Sequence, residues 1–424
     1  VKVALAYGSD GLSVDLPEER TTVVEPLYPR AVADERAAVL EALRRPVAGP
    51  PLREVVRGRR TVAISICDGT RPQPRHVVVP AILEELDGLV SLDDVVVLVA
   101  TGTHRGNTEA ELRSMLGDEV LESVRVLNHD ARDDATLTWM GRFGADVPVW
   151  LNSEWARADV RITTGFVEPH FFAGFSGGPK LVAPGLAGLE TTLVLHDAAR
   201  IGHPDARWGV THGNPVHDDV RAIAAATGTH FSLDVVLDGA HRIAQALGGE
   251  LFAMHEAACD SVRRTAMRAV AQPFDVVLTT NSGFPLDQNL YQAVKGISAA
   301  AQVVRTGGAI VCAAECRDGF PSHGSYREEL TSAASPAALL EAIAARAATV
   351  PDQWQIQIQA AIQARSRVIM HTSYLSDAEL AEAHLEQTDD VEATVRHLLD
   401  AAGPEARACV LPYGPLTVPY LAGA

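Results

Sequence analysis

Apolar and polar positions along the chain follow two alternating patterns. Short runs of nearly continuous, mostly β-branched apolar residues recur at 61–67, 94–100, 159–164, 231–237, 275–280, 309–313 and 367–371. They predict strands buried on both faces, as in a parallel sheet. Between them, apolar residues at helical spacing predict helices over 77–86, 108–116, 217–226, 255–270, 298–305 and 336–347. The first 50 residues read as irregular strands followed by a helix at 30–45, and the Pro- and Gly-rich stretch from Leu411 onward closes a last strand. Strand–helix alternation predicts an α/β fold with right-handed crossovers, in which ligands bind at the carboxyl ends of strands.

A chain of 424 residues is too long for one ordinary core, so more than one domain is expected. The break is placed at 271–273, where a long helix ends, Pro273 follows and a fresh strand–loop–helix series starts. This predicts two α/β domains with mainly parallel sheets, 1–272 and 273–424. A hydrophobic content of 47% with 21% charged residues is globular rather than disordered. The net charge of −18 argues against a nucleic-acid or anionic-membrane surface, since both need a basic footprint. No apolar run is long enough to predict a transmembrane helix. The opening Val1-Lys2-Val3-Ala4, soon followed by Gly8, lacks a signal-peptide pattern. Five cysteines, an odd number, do not suggest a disulfide framework. A cytoplasmic protein is expected.

Lysine usage changes the picture. Of 36 basic residues only Lys2, Lys180 and Lys295 are lysines. Lys180 and Lys295 sit in glycine-bearing segments, not on charged helix faces. Lysine can lose its proton, act as a nucleophile or form an amide-like bond, and arginine cannot.

The chemistry-bearing segments follow predicted strands. The first strand runs into Asp68-Gly69-Thr70-Arg71-Pro72, where a guanidinium can grip a carboxylate or phosphate, or Asp68 and Arg71 can simply stabilise a turn. The second runs into Thr101-Gly102-Thr103-His104-Arg105, which places a histidine for proton transfer or for an ordinary loop contact. The densest stretch is His170-Phe171-Phe172-Ala173-Gly174-Phe175-Ser176-Gly177-Gly178-Pro179-Lys180. Its glycines suit a phosphate cradle or a tight turn, but it matches neither the P-loop nor the GxGxxG pattern. A lysine beside this phenylalanine-rich segment is expected to be partly desolvated, its amine more available. His196 follows. Cys312 and Cys316 form a weak metal pair, read as structural, and His212 with His217 fits a loop and helix N-cap. In the second half, polar loop residues feed a helix carrying Tyr291, Gln292 and Lys295. Gln292 and Lys295 share one face and can clamp a small acid, or lie on an exposed helix face.

Together these segments resemble the nickel-pincer-nucleotide-dependent lactate racemase family. The resemblance rests on Asp68-x-Thr70-Arg71-Pro72, Thr101-Gly102-x-His104-Arg105, the stretch from His170 to Lys180, His196, Pro285-Leu286-Asp287-Gln288-Asn289-x-Tyr291-Gln292-Ala293-Val294-Lys295-Gly296, and Asp352-Gln353-Trp354-Gln355. It covers essentially the whole chain.

The resemblance implies a racemase or epimerase that inverts C2 of a 2-hydroxy acid by reversible hydride transfer. It implies a pyridinium-3-thioamide-5-thiocarboxylic acid mononucleotide tethered to Lys180, installed by maturation enzymes. A nickel ion would sit in its sulfur–carbon–sulfur pincer, with His196 as protein ligand. Thr101, Gly102, Ser176, Gly177 and Gly178 would line the cofactor. His104 and His170 would be the two general bases, Arg71 and Lys295 would hold substrate carboxylate and hydroxyl, and Gln292, Tyr291 and Trp354 would complete the pocket. Asp68 would orient a catalytic histidine or the substrate. The first domain would bind the cofactor and the second would supply substrate contacts, with the active site in the cleft between them.

Gly69, Thr103, Gly106 and Pro179 depart from the family's pattern. Gly69 and Thr103 replace bulkier groups, which predicts a substrate side chain larger than methyl. Two other classes of function use the same residues. A nucleotide carrier needs Lys180 and His196 but not two bases, and a zinc hydrolase would take His104, His170 and His196 as ligands.

Overall fold

The computed structural model describes residues 1–321 and 324–422. They form two compact units that do not follow chain order. One unit comprises Tyr28–His196 and Asp205–Arg264; the other comprises Val1–Leu27, Asp197–Pro204 and the chain from Thr265 onward.

Among the described residues, the first unit has a six-stranded sheet in the order Ile243–Gly249, Phe231–Leu237, Val160–Phe166, Val62–Cys67, Val95–Ala100, Arg125–Asn128. Neighbours are parallel except at the Ile243–Gly249 edge, which runs antiparallel. Alternate residues face opposite layers. Ile64, Ile66, Val97 and Val99 join the core that includes Val78, Ile82 and Leu86 of the Arg75–Leu86 helix. Ala63, Val96 and Leu98 join a second core with Trp155, Val182 and Leu186. Burial on both faces is why these strands read as unbroken apolar runs.

The second unit has its own six-stranded sheet among the described residues, ordered Glu386–Gln387, Arg367–His371, Val304–Ala313, Phe274–Thr280, Ala408–Leu411, Thr21–Val23, with every neighbouring pair parallel. The expected α/β class with mainly parallel sheets is the observed one.

The expected division at 272/273 differs from the observed one. The N-terminal residues belong with the later sheet because Thr21–Val23 pairs with Ala408–Leu411. The Lys2–Leu5 and Leu12–Asp15 hairpin also buries Val3, Leu5 and Val14 against Val276, Leu278 and Val410. The helix expected over 255–270 spans Leu251–Ala266, and Met267–Val270 turns into a strand paired with Val418–Leu421. The helix expected over 298–305 is instead Leu290–Ala300, started by the Asn289 side chain, which accepts from the Gln292 amide. Its expected last residues open the Val304–Ala313 strand. No helix among the described residues is long and apolar enough to cross a membrane. All five cysteines are buried free thiols.

Candidate active site

In the first unit the Val62–Cys67 strand lies between Val95–Ala100 and Val160–Phe166. Its neighbours thus bring the segments after Cys67, Ala100 and Phe166 to one edge of the sheet, at the carboxyl ends of the strands. Those segments carry Asp68, His104 and the 168–180 loop.

Asp68 is buried and accepts from the Thr70 hydroxyl at 2.7 Å. Its other oxygen meets His104 Nδ1 at 2.8 Å. Burial pushes its carboxyl up, but the hydrogen bond and charge of His104, with Thr70 and Arg71, hold it below the usual range. Paired this way, neutral His104 carries its proton on Nδ1 and its lone pair on Nε2, the arrangement of a carboxylate-oriented general base. Of the two roles open to Asp68, the geometry supports orienting the histidine. The turn itself is braced by Arg75, which sequence reasoning missed. Its guanidinium donates to the carbonyls of Cys67 (2.8 Å), Gln73 (2.7 Å), Arg71 (2.7 Å) and Asp68. Nothing in the sequence marks Arg75, one arginine among many at a helix start.

Thr101 donates its hydroxyl to the His129 carbonyl at 2.6 Å, and Gly102 sits at φ +55 with its amide on the Gly185 carbonyl. Both shape the turn that presents His104.

His170 starts a short hairpin, Pro169–His170 with Gly174–Phe175. Its Nδ1 accepts from the Ala173 amide at 3.2 Å, so the neutral ring carries its proton on Nε2. The two histidines expected to serve as bases therefore differ in tautomer.

Further along this loop, Ser176 uses its hydroxyl twice, donating to the Phe166 carbonyl and accepting from the Glu168 amide, each at 2.9 Å. Gly177 and Gly178 have φ +74 and +50. A Cβ on Gly177 would meet Asp234 at 2.5 Å, and one on Gly178 would meet the His255 ring at 2.5 Å. The glycines expected to cradle a phosphate are thus required by the protein's own packing, and the Gly178 amide is already taken by Asp234 Oδ2 at 2.7 Å. Asp234 and His255 also escaped sequence reasoning. A signal for Asp234 existed, because Ser232 and Asp234 interrupt an otherwise apolar strand on one face.

Lys180 ends this loop, its amine 5.6 Å from the centre of the Phe172 ring. Burial, then the nearby Arg71 guanidinium, push its pKa down to about 7. His196 caps the Leu189–Leu195 helix, is buried, and has its Nδ1 2.6 Å from the Thr192 carbonyl. Nδ1–H therefore donates there and the lone pair lies on Nε2, the state a metal-ligating imidazole requires. Among the described residues, no group of three His, Cys, Asp or Glu side chains could hold a metal ion, which leaves the zinc-hydrolase reading without a site.

In the second unit, Lys295 donates to Gln292 Oε1 at 2.9 Å on the Leu290–Ala300 helix. Trp354, on the Gln353–Gln363 helix, has its indole nitrogen 3.3 Å from the Tyr291 hydroxyl. The four residues expected to contact substrate from this unit therefore form two hydrogen-bonded pairs, which meet at the adjacent positions Tyr291 and Gln292. The ground for a larger substrate is weaker. A Cβ on Gly69 would meet Asn107 Nδ2 at 2.6 Å and Met115 at 3.5 Å, so the space beside Asp68 is already filled.

Comparison with known proteins supplies the family. Residues 7–209 match the model for the lactate racemase N-terminal domain, and residues 269–418 that for the lactate racemase C-terminal domain. The chain is 33% identical over 419 residues to a lactate racemase from Thermoanaerobacterium thermosaccharolyticum, covering 97% of each chain. It is 32% identical to one from Lactiplantibacillus plantarum, covering 95% of this chain and 98% of that one. The structure of the lactate racemase apoprotein from T. thermosaccharolyticum superposes with a TM-score of 0.93, covering 99% of this chain and all of the other at 32% identity. A Thermotoga maritima protein, 19% identical with a TM-score of 0.66, shares the fold. The chain belongs to the lactate racemase family.

Proposed function

We propose that this protein racemises lactate by moving the C2 hydrogen as hydride, using a nickel-pincer pyridinium mononucleotide tethered to Lys180. The observation that carries the reading is Lys180. An amine with a pKa of about 7 is about half in its nucleophilic free-base form at neutral pH, whereas an ordinary lysine is almost wholly protonated. The residues present fit the group. Lys180 can form the thioamide, His196 has its Nε2 lone pair set for a metal, and a cofactor that brings its own sulfur donors needs no cluster of protein ligands. When bound, such a nucleotide supplies a hydride acceptor and donor for C2.

The chain's own residues handle the rest. His104 Nε2 takes the hydroxyl proton of one enantiomer, and Asp68 stabilises the imidazolium that results. His170 serves the opposite face. At rest its proton sits on Nε2, and acting as a base there requires its Nδ1 to release the Ala173 amide. Arg71 and Lys295 are the cations proposed for carboxylate and hydroxyl, with Gln292, Tyr291 and Trp354 around the substrate. Thr101, Gly102, Ser176, Gly177 and Gly178 support the cofactor through the backbone they shape. The intact Asp68–His104 pair favours an enzyme over a nucleotide carrier, which has no use for a base. We place the protein in the cytoplasm, with the maturation enzymes.

The test is chiral analysis of lactate incubated with protein co-produced with cofactor maturation enzymes. Both enantiomers should convert to the racemate, and lactate should be preferred over 2-hydroxybutyrate, malate and phenyllactate because Asn107 fills the space at Gly69. No conversion by protein that carries the cofactor would defeat the reading. In the same preparation His196→Ala should lose most bound nickel but keep the Lys180 adduct by mass. Nickel retained in His196→Ala and lost in His170→Ala would reassign the ligand.

A further inference from the structure

The turn that carries Lys180 is held by buried side chains with no assigned role. Asp234, on the Phe231–Leu237 strand, is fully buried and accepts from the Gly178 amide at 2.7 Å. His255, on the Leu251–Ala266 helix, is 1% exposed and its Nε2 lies 2.9 Å from the Ser176 carbonyl, so Nε2–H donates there. One group thus grips a carbonyl and the other an amide, two residues apart. Lys180 closes the same turn through its amide to the Gly177 carbonyl at 3.2 Å. The contacts are tight: neither Gly177 nor Gly178 has room for a Cβ against Asp234 or the His255 ring.

We infer that Asp234 and His255 are positioning residues that fix the Lys180 turn in its buried place before any modification. The inference goes beyond the proposed function and rests on it only for the use made of Lys180. Neither grip depends on a bound group, so the site for attachment is built into the bare chain.

The ionisation states agree. Burial pushes the His255 imidazole down to about 4, keeping it a neutral donor, and pushes the Asp234 carboxyl up to about 7. The charged or titratable groups that act on the Lys180 amine are Arg71 from the turn after the Val62–Cys67 strand, His217 from the Pro215–Thr227 helix, and His255. Among the described residues, none of these groups is a carboxylate. Asp234 Oδ2 is spent on the Gly178 amide, and an ion pair of the carboxylate with the amine would keep Lys180 protonated and unreactive.

The experiment uses apoprotein and a water-soluble acylating reagent in excess, with the Lys180 peptide followed by mass spectrometry across pH. Only the free amine reacts, so the rate rises with pH through the amine's pKa, near 7 in wild type. In His255→Leu and in Asp234→Ala the turn loosens, the amine gains water, and the midpoint should move up by about one unit or more, toward the ordinary value of about 10.4. His255→Gln keeps an N–H donor for the Ser176 carbonyl and should keep a midpoint near the wild-type one. Each variant is compared under conditions where circular dichroism shows it folded, so that a moved midpoint reports the turn and not unfolding. An unmoved midpoint in folded His255→Leu and Asp234→Ala would overturn the inference. Should both variants unfold, hydrogen exchange on the wild-type apoprotein decides: the Gly178 amide should exchange at least about 100-fold slower than an open loop, and exchange at the open-loop rate would overturn the inference. Because no step needs the cofactor, these outcomes stand apart from whether the loaded protein racemises lactate.

Discussion

Replacing Lys180 with arginine should abolish both cofactor attachment and racemase activity. Arginine keeps a positive charge and a long side chain, but its guanidinium does not lose its proton and cannot form the thioamide. Arginine keeps its charge beside Arg71, where burial favours the neutral lysine amine, so Lys180→Met, which adds no charge to the site, is made alongside it and should lose attachment and activity equally. After maturation, intact-protein mass spectrometry should show the added mass on wild type and none on Lys180→Arg, and activity should fall to background. An adduct of unchanged mass on the variant would move the attachment elsewhere. Lys295 is the natural candidate, since Lys2 is the only other lysine.

The second large effect belongs to the Asp68–His104 pair. Removing a positioned general base costs about 10²–10⁴-fold in rate, so His104→Gln should lose at least about 100-fold in kcat with Lys180 modification unchanged. Asp68→Asn should approach the same loss through a different route. An amide can accept as well as donate, so the imidazole is no longer held with its proton on Nδ1 and its lone pair on Nε2, and the imidazolium loses its counter-charge. Steady-state kinetics of both variants on cofactor-loaded protein, normalised to adduct content, measures this. A kcat within about threefold of wild type in His104→Gln would remove His104 from the chemistry.

Fold class was legible because burial on both sheet faces leaves a simple trace. The runs at 61–67, 94–100 and 231–237 correspond to Val62–Cys67, Val95–Ala100 and Phe231–Leu237. Edge strands leave no such trace. Arg125–Asn128 alternates exposed and half-buried residues, and Ile243–Gly249 ends in two glycines, so neither reads as a strand in isolation. The domain division was not legible, because a three-residue strand at Thr21–Val23 is added to a sheet whose partner lies near the other end of the chain. Local sequence carries no record of such a distant pairing.

The candidate site divides in the same way. His104, Lys180, His196 and Lys295 stand out because their residue types are rare or their motifs specific. The residues that orient them do not. Arg75 works through carbonyls, which any long donor could meet, and His255 lies on an ordinary amphipathic helix. The glycines were visible but their reason was not: they are there to let the chain pass Asp234 and His255.

In the proposed reaction C2 inverts by hydride transfer while the histidines handle only the hydroxyl proton. Racemisation of C2-deuterated lactate by the cofactor-loaded protein in ordinary water tests it most directly. Hydrogen that leaves and returns to C2 as hydride would not exchange with solvent, so both product enantiomers should retain deuterium at C2. Loss of deuterium to water in step with racemisation would mean that C2 gives up a proton to a base, and would contradict the account.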